Sequence, residues 1–478
     1  MDSEISRRTI LGSAAVLAAT SCVDKLPRRT VRDQKPDIAL NIAPIRQEIA
    51  PGIEYATFAY NGTVPGPILR MQKGRKTIVE VENLLATPEI VHWHGLQIPS
   101  DVDGAEEEGT PPVDRFRKRQ YSFAPGPGGA HWYHTHMIGA KALMFGAYSG
   151  LFGFNMIDGD ETGSYDQEIF IAMHHWGPRW EDNEKLPRDH LEQGREVVYD
   201  YGTMNGRLYG HHDPIRVHQG QRVLFHVLNA SATEITWTAL AGHQMKVIGL
   251  DGYPVAKAAD IDVLMLGPGE RADVLVEMNN PGKWKFGAAK KREREAGMAM
   301  LVEYAGAKGE AMWTNPNIGW DFKRFANDGS CAEPDKRFEL RLGRIAGGPG
   351  GYNSWTINDK IWPNTERLIL EKGKRYRLAF VNDTEHGHPM HLHRHHFELA
   401  SYDGIPCKGV FKDTLNIRPN TTTEVDFIAD NPGPTLLHCH QAAHQDFGLM
   451  SLLLYKGDSE PHFDPGATMA AIDQVYCS

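Results

Sequence analysis

Residues 74–83 read Gly-Arg-Lys-Thr-Ile-Val-Glu-Val-Glu-Asn, an alternating strand that runs from a glycine to an asparagine nine positions later. Alternation with period two marks a half-buried β-strand. The pattern returns at 220–229 (GQRVLFHVLN) and at 373–382 (GKRYRLAFVN), so that Asn83, Asn229 and Asn382 lie 146 and 153 residues apart. Nine residues beyond each asparagine stand His92, Thr238 and His391, and two further on stand His94, Leu240 and His393. A second register agrees with the first. Gly129, Gly282 and Gly433 each precede by five residues the triplets His134-Thr135-His136, Gly287-Ala288-Ala289 and His438-Cys439-His440. One unit is repeated three times, and its middle copy keeps the scaffold without the histidines.

Outward from these strands the chain is rich in short β-branched and aromatic runs. Turn signals such as Asp251-Gly252, Asp403-Gly404 and Asn431-Pro432-Gly433 punctuate them, and no long amphipathic helix pattern competes. The expected fold is all-β, with three consecutive Greek-key β-sandwich domains at 37–160, 165–308 and 330–478 after an N-terminal segment 1–36. Linkers are expected near 159–166 and across 305–335, where periodicity fades. Hydrophobic content of 41% and charged content of 23% fit a soluble globular chain, and a formal charge of −10 argues against nucleic acid as a partner.

Four His-x-His pairs occur: His92/His94, His134/His136, His391/His393 and His438/His440. In a strand, residues i and i+2 project from one face, so four pairs from domains 1 and 3 can converge eight imidazoles on a shared interface. Eight exceed the four ligands that close one zinc site and suit a cluster of ions. Alternation turns Cys439 to the face opposite His438 and His440. His388, three residues before His391, faces away from its pair too, and His444 follows Cys439 by five residues. Two imidazoles and one thiolate are the blue-copper set. His131, His211 and His212 are not counted as ligands.

The stretches His92-Trp93-His94-Gly95, His131-Trp132-Tyr133-His134-Thr135-His136, His388-Pro389-Met390-His391-Leu392-His393 and His438-Cys439-His440-Gln441-Ala442-Ala443-His444 resemble the four copper signatures of three-domain multicopper oxidases, the laccase group. The resemblance covers about residues 40–460 and implies cupredoxin-like domains holding four copper ions. By it, His388, Cys439 and His444 hold a type 1 copper, with Leu449 at the non-coordinating axial position. His92 and His391 hold a type 2 copper, and His94, His134, His136, His393, His438 and His440 hold a type 3 pair. It further implies a copper-dependent oxidase that couples four one-electron substrate oxidations to reduction of dioxygen to water. His438-Cys439-His440 gives a bonded electron route between the sites. Asp103, nine residues after His94, stands where relatives keep a proton donor, although Asp103-Gly104 also reads as a turn pair like 251–252 and 403–404. A second relay acid, placed in some relatives directly after the residue matching His444, is here Gln445, with Asp446 next. Arg394 departs from a usual glycine; His395 and His396 behind it are read as support or surface.

The N-terminus carries Ser6-Arg7-Arg8-Thr9-Ile10-Leu11 and a short apolar run to Ala19, a twin-arginine export pattern too short to span a membrane. The expectation is export to a periplasmic or extracellular location, as a monomer; lipidation at Cys22 is the alternative to removal of the segment. Cys331, Cys407 and Cys477 could supply one disulfide. The reductant is expected to be a phenol or similar organic molecule. The rivals are a metallo-oxidase of Cu(I), Fe(II) or Mn(II), and a non-catalytic copper-binding protein. Residues 313–389 contain no methionine, which argues against Cu(I), and Met137, Met144 and Met156 read as core packing.

Overall fold

The computed structural model describes residues 34–159, 163–185 and 194–462; the twin-arginine segment, Cys22 and Cys477 lie outside them. Each repeated strand does the same work three times. Thr77–Asn83, Arg222–Asn229 and Arg375–Asn382 each pair in parallel with the first strand of their domain (Ile38–Ala50, Gln167–Trp176 and Lys336–Ile345). On the other side each pairs antiparallel with a later strand, Arg117–Phe123, Arg271–Glu277 or Thr422–Ile428. Gly74, Gly220 and Gly373 enter these strands at φ of 72°, 86° and 82°, a left-handed turn that glycine adopts without steric cost.

The recurring asparagine has a physical reason. Asn83 Nδ2 donates to Thr87 O (2.8 Å) and Val113 O (2.9 Å). Asn229 Nδ2 donates to Glu234 O (2.8 Å) and Leu266 O (2.7 Å), and Asn382 Nδ2 to His386 O (2.8 Å). Each Oδ1 accepts the amide two residues on, from Leu85, Ser231 or Thr384. A buried amide must be saturated, and here its saturation clamps the loop that leads to the histidine position.

Each domain is a two-sheet sandwich, with four and four strands, six and five, then seven and five. Parts of the domain interfaces are apolar. Trp132, Phe152 and Phe154 meet Trp176, Leu208 and Leu228 between the first two domains, while Ala105 meets Leu436, Met450 and Leu452 between the first and third. From Pro36 onward the described residues form one compact unit. No helix among them is long and apolar enough to cross a membrane.

Two expectations need correction. Residues 305–335 are not a plain linker, because Trp320, Phe322 and Phe325 are buried in the core that joins domains 2 and 3. Met137 and Met156 are core residues, but Met144 is exposed. Asp251 takes the expected left-handed turn (φ 50°) and is also fully buried and paired with Lys412 at 3.0 Å. Among the described residues Cys331 and Cys407 are not bridged to each other, and Cys477 lies outside them.

In domain 2, His226 lies between Asp273 (Nδ1–Oδ1 2.5 Å) and Glu168 (Nε2–Oε1 3.1 Å). Burial lowers its pKa, but the two carboxylates outweigh burial and raise it to about 9. A folded value above the unfolded one near 6.5 means that the triad stabilises fully below about pH 6.5 and is lost as pH rises through 9. Its ceiling is about 3 kcal/mol at 1.36 kcal/mol per unit. The thermal midpoint of His226→Gln is expected to trail the parent at pH 6 and to converge with it at pH 10. An unchanged gap would remove the triad from the pH dependence.

Candidate metal centre

All eight histidines of the four pairs are buried at one place between domains 1 and 3. The first member of each pair sits on a strand, and the strands align them: His92 is opposite His134, and His391 is opposite His438. The second members, His94, His136, His393 and His440, stand just beyond the strand ends, which corrects the expectation that each pair shares one strand face. Past the ladder the backbone is free to turn, and these rings swing across the domain boundary. His136 Nε2 lies 3.4 Å from His438 Nε2, and His393 Nδ1 donates to Asp103 Oδ2 at 2.9 Å. In domain 2 the matching strands carry Thr238 and Ala288 opposite each other, so both the histidines and the one-residue register differ.

Hydrogen bonds fix which ring nitrogen faces inward. His92 Nδ1 donates to Asp103 O (2.9 Å), His134 Nδ1 to Thr135 O (2.8 Å), His391 Nδ1 to Asp413 O (2.8 Å) and His438 Nδ1 to Cys439 O (2.9 Å). Each therefore presents an Nε2 lone pair. His94 is reversed: its Nε2 donates to Asp413 Oδ1 at 3.0 Å, leaving Nδ1 free 3.3 Å from His134 Nε2. Burial depresses every one of these imidazoles, His92 to about 4 and His438 to about 3, which favours the neutral form that can bind a metal ion.

Lone pairs then face each other at short range. His92 Nε2 is 3.4 Å from His391 Nε2, and His393 Nε2 is 3.0 Å from His438 Nε2, while His440 Nε2 is buried with no protein partner. Such convergence is favourable only around cations. Among the described residues, sets of buried histidines with ligand atoms within 4.8 Å of one another include His92/His94/His134, His92/His391/His393 and His136/His393/His438.

On the other face of the same strands, His388 Nδ1, His444 Nδ1 and Cys439 Sγ form a triangle with sides of 3.0, 3.6 and 3.7 Å. Its centre is about 2 Å from each atom, a bond length suited to a transition ion. His388 is oriented by its Nε2–H, which donates to Thr384 Oγ1 at 2.7 Å. Pro389 leaves the strand intact, with Met390 opposite Cys439. His444 comes from the short helix Ala442–Asp446. Leu449 is fully buried and its carbonyl accepts from the Cys439 amide at 3.0 Å, whereas Met450 pairs with His438 and packs toward Ala105.

Asp103 ends the short helix Ser100–Asp103 and is fully buried, whereas Asp251 and Asp403 occupy turns at positive φ. Its Oδ2 also lies 3.1 Å from His92 Nδ1, and its Oδ1 has no partner. Glu108 stands behind it, with Oε1 3.5 Å from His393 Nδ1. Burial raises both carboxyls above the usual carboxylate range. Asp446, by contrast, accepts backbone amides of Gly139 and Ala140.

Arg394 is buried at φ 58° and donates to the carbonyls of Ile98, Asn431, Pro432, Gly433 and Pro434, tying the first domain to the third. His395 is buried support, with Nε2 2.8 Å from the Tyr455 hydroxyl. Sequence reasoning missed Glu108, Asp413, Thr414 and Arg271. Nothing in their local sequence names a partner, because each acts through residues distant in the chain.

Family models described as multicopper oxidase match residues 42–162, 171–306 and 341–459. The chain is 28% identical over 481 residues to the multicopper oxidase MmcO of Mycobacterium tuberculosis, covering 94% of this chain and 92% of that one. It is 26% identical to a multi-copper oxidase from Pseudomonas thermotolerans, with TM-score 0.67 over 87% of this chain and 98% of that one. A laccase from Botrytis aclada, 20% identical, shares the fold with TM-score 0.70 over 92% of each chain. With buried histidine clusters and a cysteine-centred site on one scaffold, the chain belongs to the multicopper oxidase family, and it is a copper-dependent oxidoreductase that delivers electrons from a reductant to dioxygen.

Proposed function

We propose a laccase-like oxidase of small aromatic reductants such as phenols, carrying four coppers. His388, Cys439 and His444 would hold the type 1 ion, His92 and His391 the type 2 ion, and the remaining six histidines the type 3 pair. Bound copper supplies one-electron redox steps and the four-electron reduction of dioxygen. The chain's part is to keep His438 and His440 bonded to either side of Cys439, to exclude water, and to hold a proton at Asp103 and Glu108.

The observation that carries the substrate class is a cavity of ≈ 230 Å³ against His444. Its walls include Trp180, Tyr352 and Phe447, with Tyr352 and Phe447 stacked 5.3 Å apart at 11°. Trp355 covers the His444 ring at 3.8 Å. The volume suits a single-ring molecule, and the aromatic walls suit a flat one. Glu196, Glu234 and Glu385 line the same cavity and favour a second reading, oxidation of Fe(II) or Mn(II). Oxygen uptake with a phenol, then with Fe(II), Mn(II) and Cu(I), separates these readings. Faster uptake with a metal ion than with any phenol would defeat the first, and no uptake from copper-loaded protein would favour a binding role. Export by the twin-arginine route to a periplasmic or extracellular location is part of the proposal.

Leu449 gives a further test. A thioether at this axial position would ligate weakly and favour Cu(II), so Leu449→Met is expected to lower the reduction potential. A redox titration showing no drop would displace Leu449 from the axial role.

A further inference from the structure

The middle domain contributes none of the eight imidazoles, yet its side chains reach the cluster. Arg271, at the start of the strand Arg271–Glu277, is fully buried and grips Asp413 of the third domain with both arms: Nη1 donates to Oδ1 at 2.6 Å and Nη2 to Oδ2 at 2.7 Å. The same nitrogens are anchored at home, Nη1 on Gly269 O and Nη2 on Asp251 O. Asp251 Oδ2 accepts the amides of Asp413 (3.2 Å) and Thr414 (3.1 Å). Lys412 completes the grip, bridging Asp251 and Glu270 at 3.0 and 3.2 Å.

Asp413 Oδ1, so pinned, accepts from His94 Nε2 of the first domain at 3.0 Å, and Thr414 Oγ1 lies equally close to that nitrogen. A carboxylate can only accept, so His94 must carry its proton on Nε2 and offer Nδ1. The rings of His92, His134, His391 and His438, bonded through Nδ1 to backbone carbonyls, offer Nε2. Gly95 supports the reading independently. It sits at φ 85°, and a Cβ there would lie 2.5–2.8 Å from His131 Nδ1, Asp413 Oδ2 and Arg271 Nη2. The turn that carries His94 is shaped around this network.

We infer that Arg271 and Asp413 are positioning residues through which the middle domain sets the coordinating nitrogen of His94. The inference rests on the four-copper reading of the cluster. Loss of such an outer partner typically weakens metal retention about 10–100-fold.

The test compares the parent with Arg271→Lys, which keeps charge but not the fork, and with the near-isosteric Asp413→Asn. Copper per chain is counted after chelator challenge, together with spin-counted EPR, the blue absorption and the thermal midpoint of the copper-free protein. Both variants are expected to keep the blue absorption and the copper-free midpoint while losing cluster copper about 10–100-fold more readily. Variants that retain cluster copper as the parent does overturn the inference alone. Variants that lose the blue site and the copper-free midpoint together with the cluster also overturn it, by showing a general structural role. A parent that itself holds no cluster copper overturns the four-copper reading and the inference with it.

Discussion

Cys439→Ser is expected to abolish the blue absorption and to reduce substrate oxidation by far more than the roughly 100-fold that loss of an outer-shell partner costs. Cys439 supplies the sulfur of the triangle, and it is buried with His388 and His444 as its partners. A serine oxygen is smaller and harder, and neither forms the intense thiolate chromophore nor favours the reduced ion. The effect on turnover should exceed the effect on folding, because the side chain is small and the Cys439 amide keeps its bond to Leu449 O. Position matters as much as chemistry. His438 and His440 are its neighbours in sequence and point into the cluster, so this residue is the shortest bonded link between the two sites. Absorption, copper analysis and oxygen uptake on one preparation check the result. Retained blue colour would mean that the triangle is not the type 1 site.

The second large effect is expected at Asp103. Asparagine preserves the shape and an oxygen able to accept from His393 Nδ1, a bond of 2.9 Å in the parent, so copper content and colour should survive. What it removes is a carboxyl that can hold and release a proton, and general acid–base groups contribute about 10²–10⁴-fold. Turnover is therefore expected to fall roughly 100-fold, at the lower end of that range, since Glu108 remains behind the position. The affected step is reoxidation. In a stopped-flow experiment the reduced protein is mixed with dioxygen and the return of the blue colour is followed. A parent-like rate would leave Asp103 as an orienting partner of His393 and His92 and nothing more.

These two residues differ in how far their roles were legible. Cys439 could be read from its neighbours, because strand alternation separates it from His438. Asp103 could not, since Asp-Gly is also a common turn pair, as Asp403-Gly404 shows with its positive φ. Burial and two imidazole contacts distinguish Asp103. Strand alternation misled in one respect, for His94, His136, His393 and His440 lie beyond their strands and are aimed by interdomain contacts.

By itself the sequence determined the repeat, the sandwich architecture and the histidine inventory, because these rest on local periodicity and on Gly and Asn requirements within each unit. Tertiary structure decided which nitrogen His94 and His393 offer, which carboxyls lie buried beside the cluster, and that Arg271 of the middle domain reaches Asp413, the partner of His94. Those outcomes depend on hydrogen-bond geometry between residues 140 or more positions apart, and on the desolvation that only assembled domains impose.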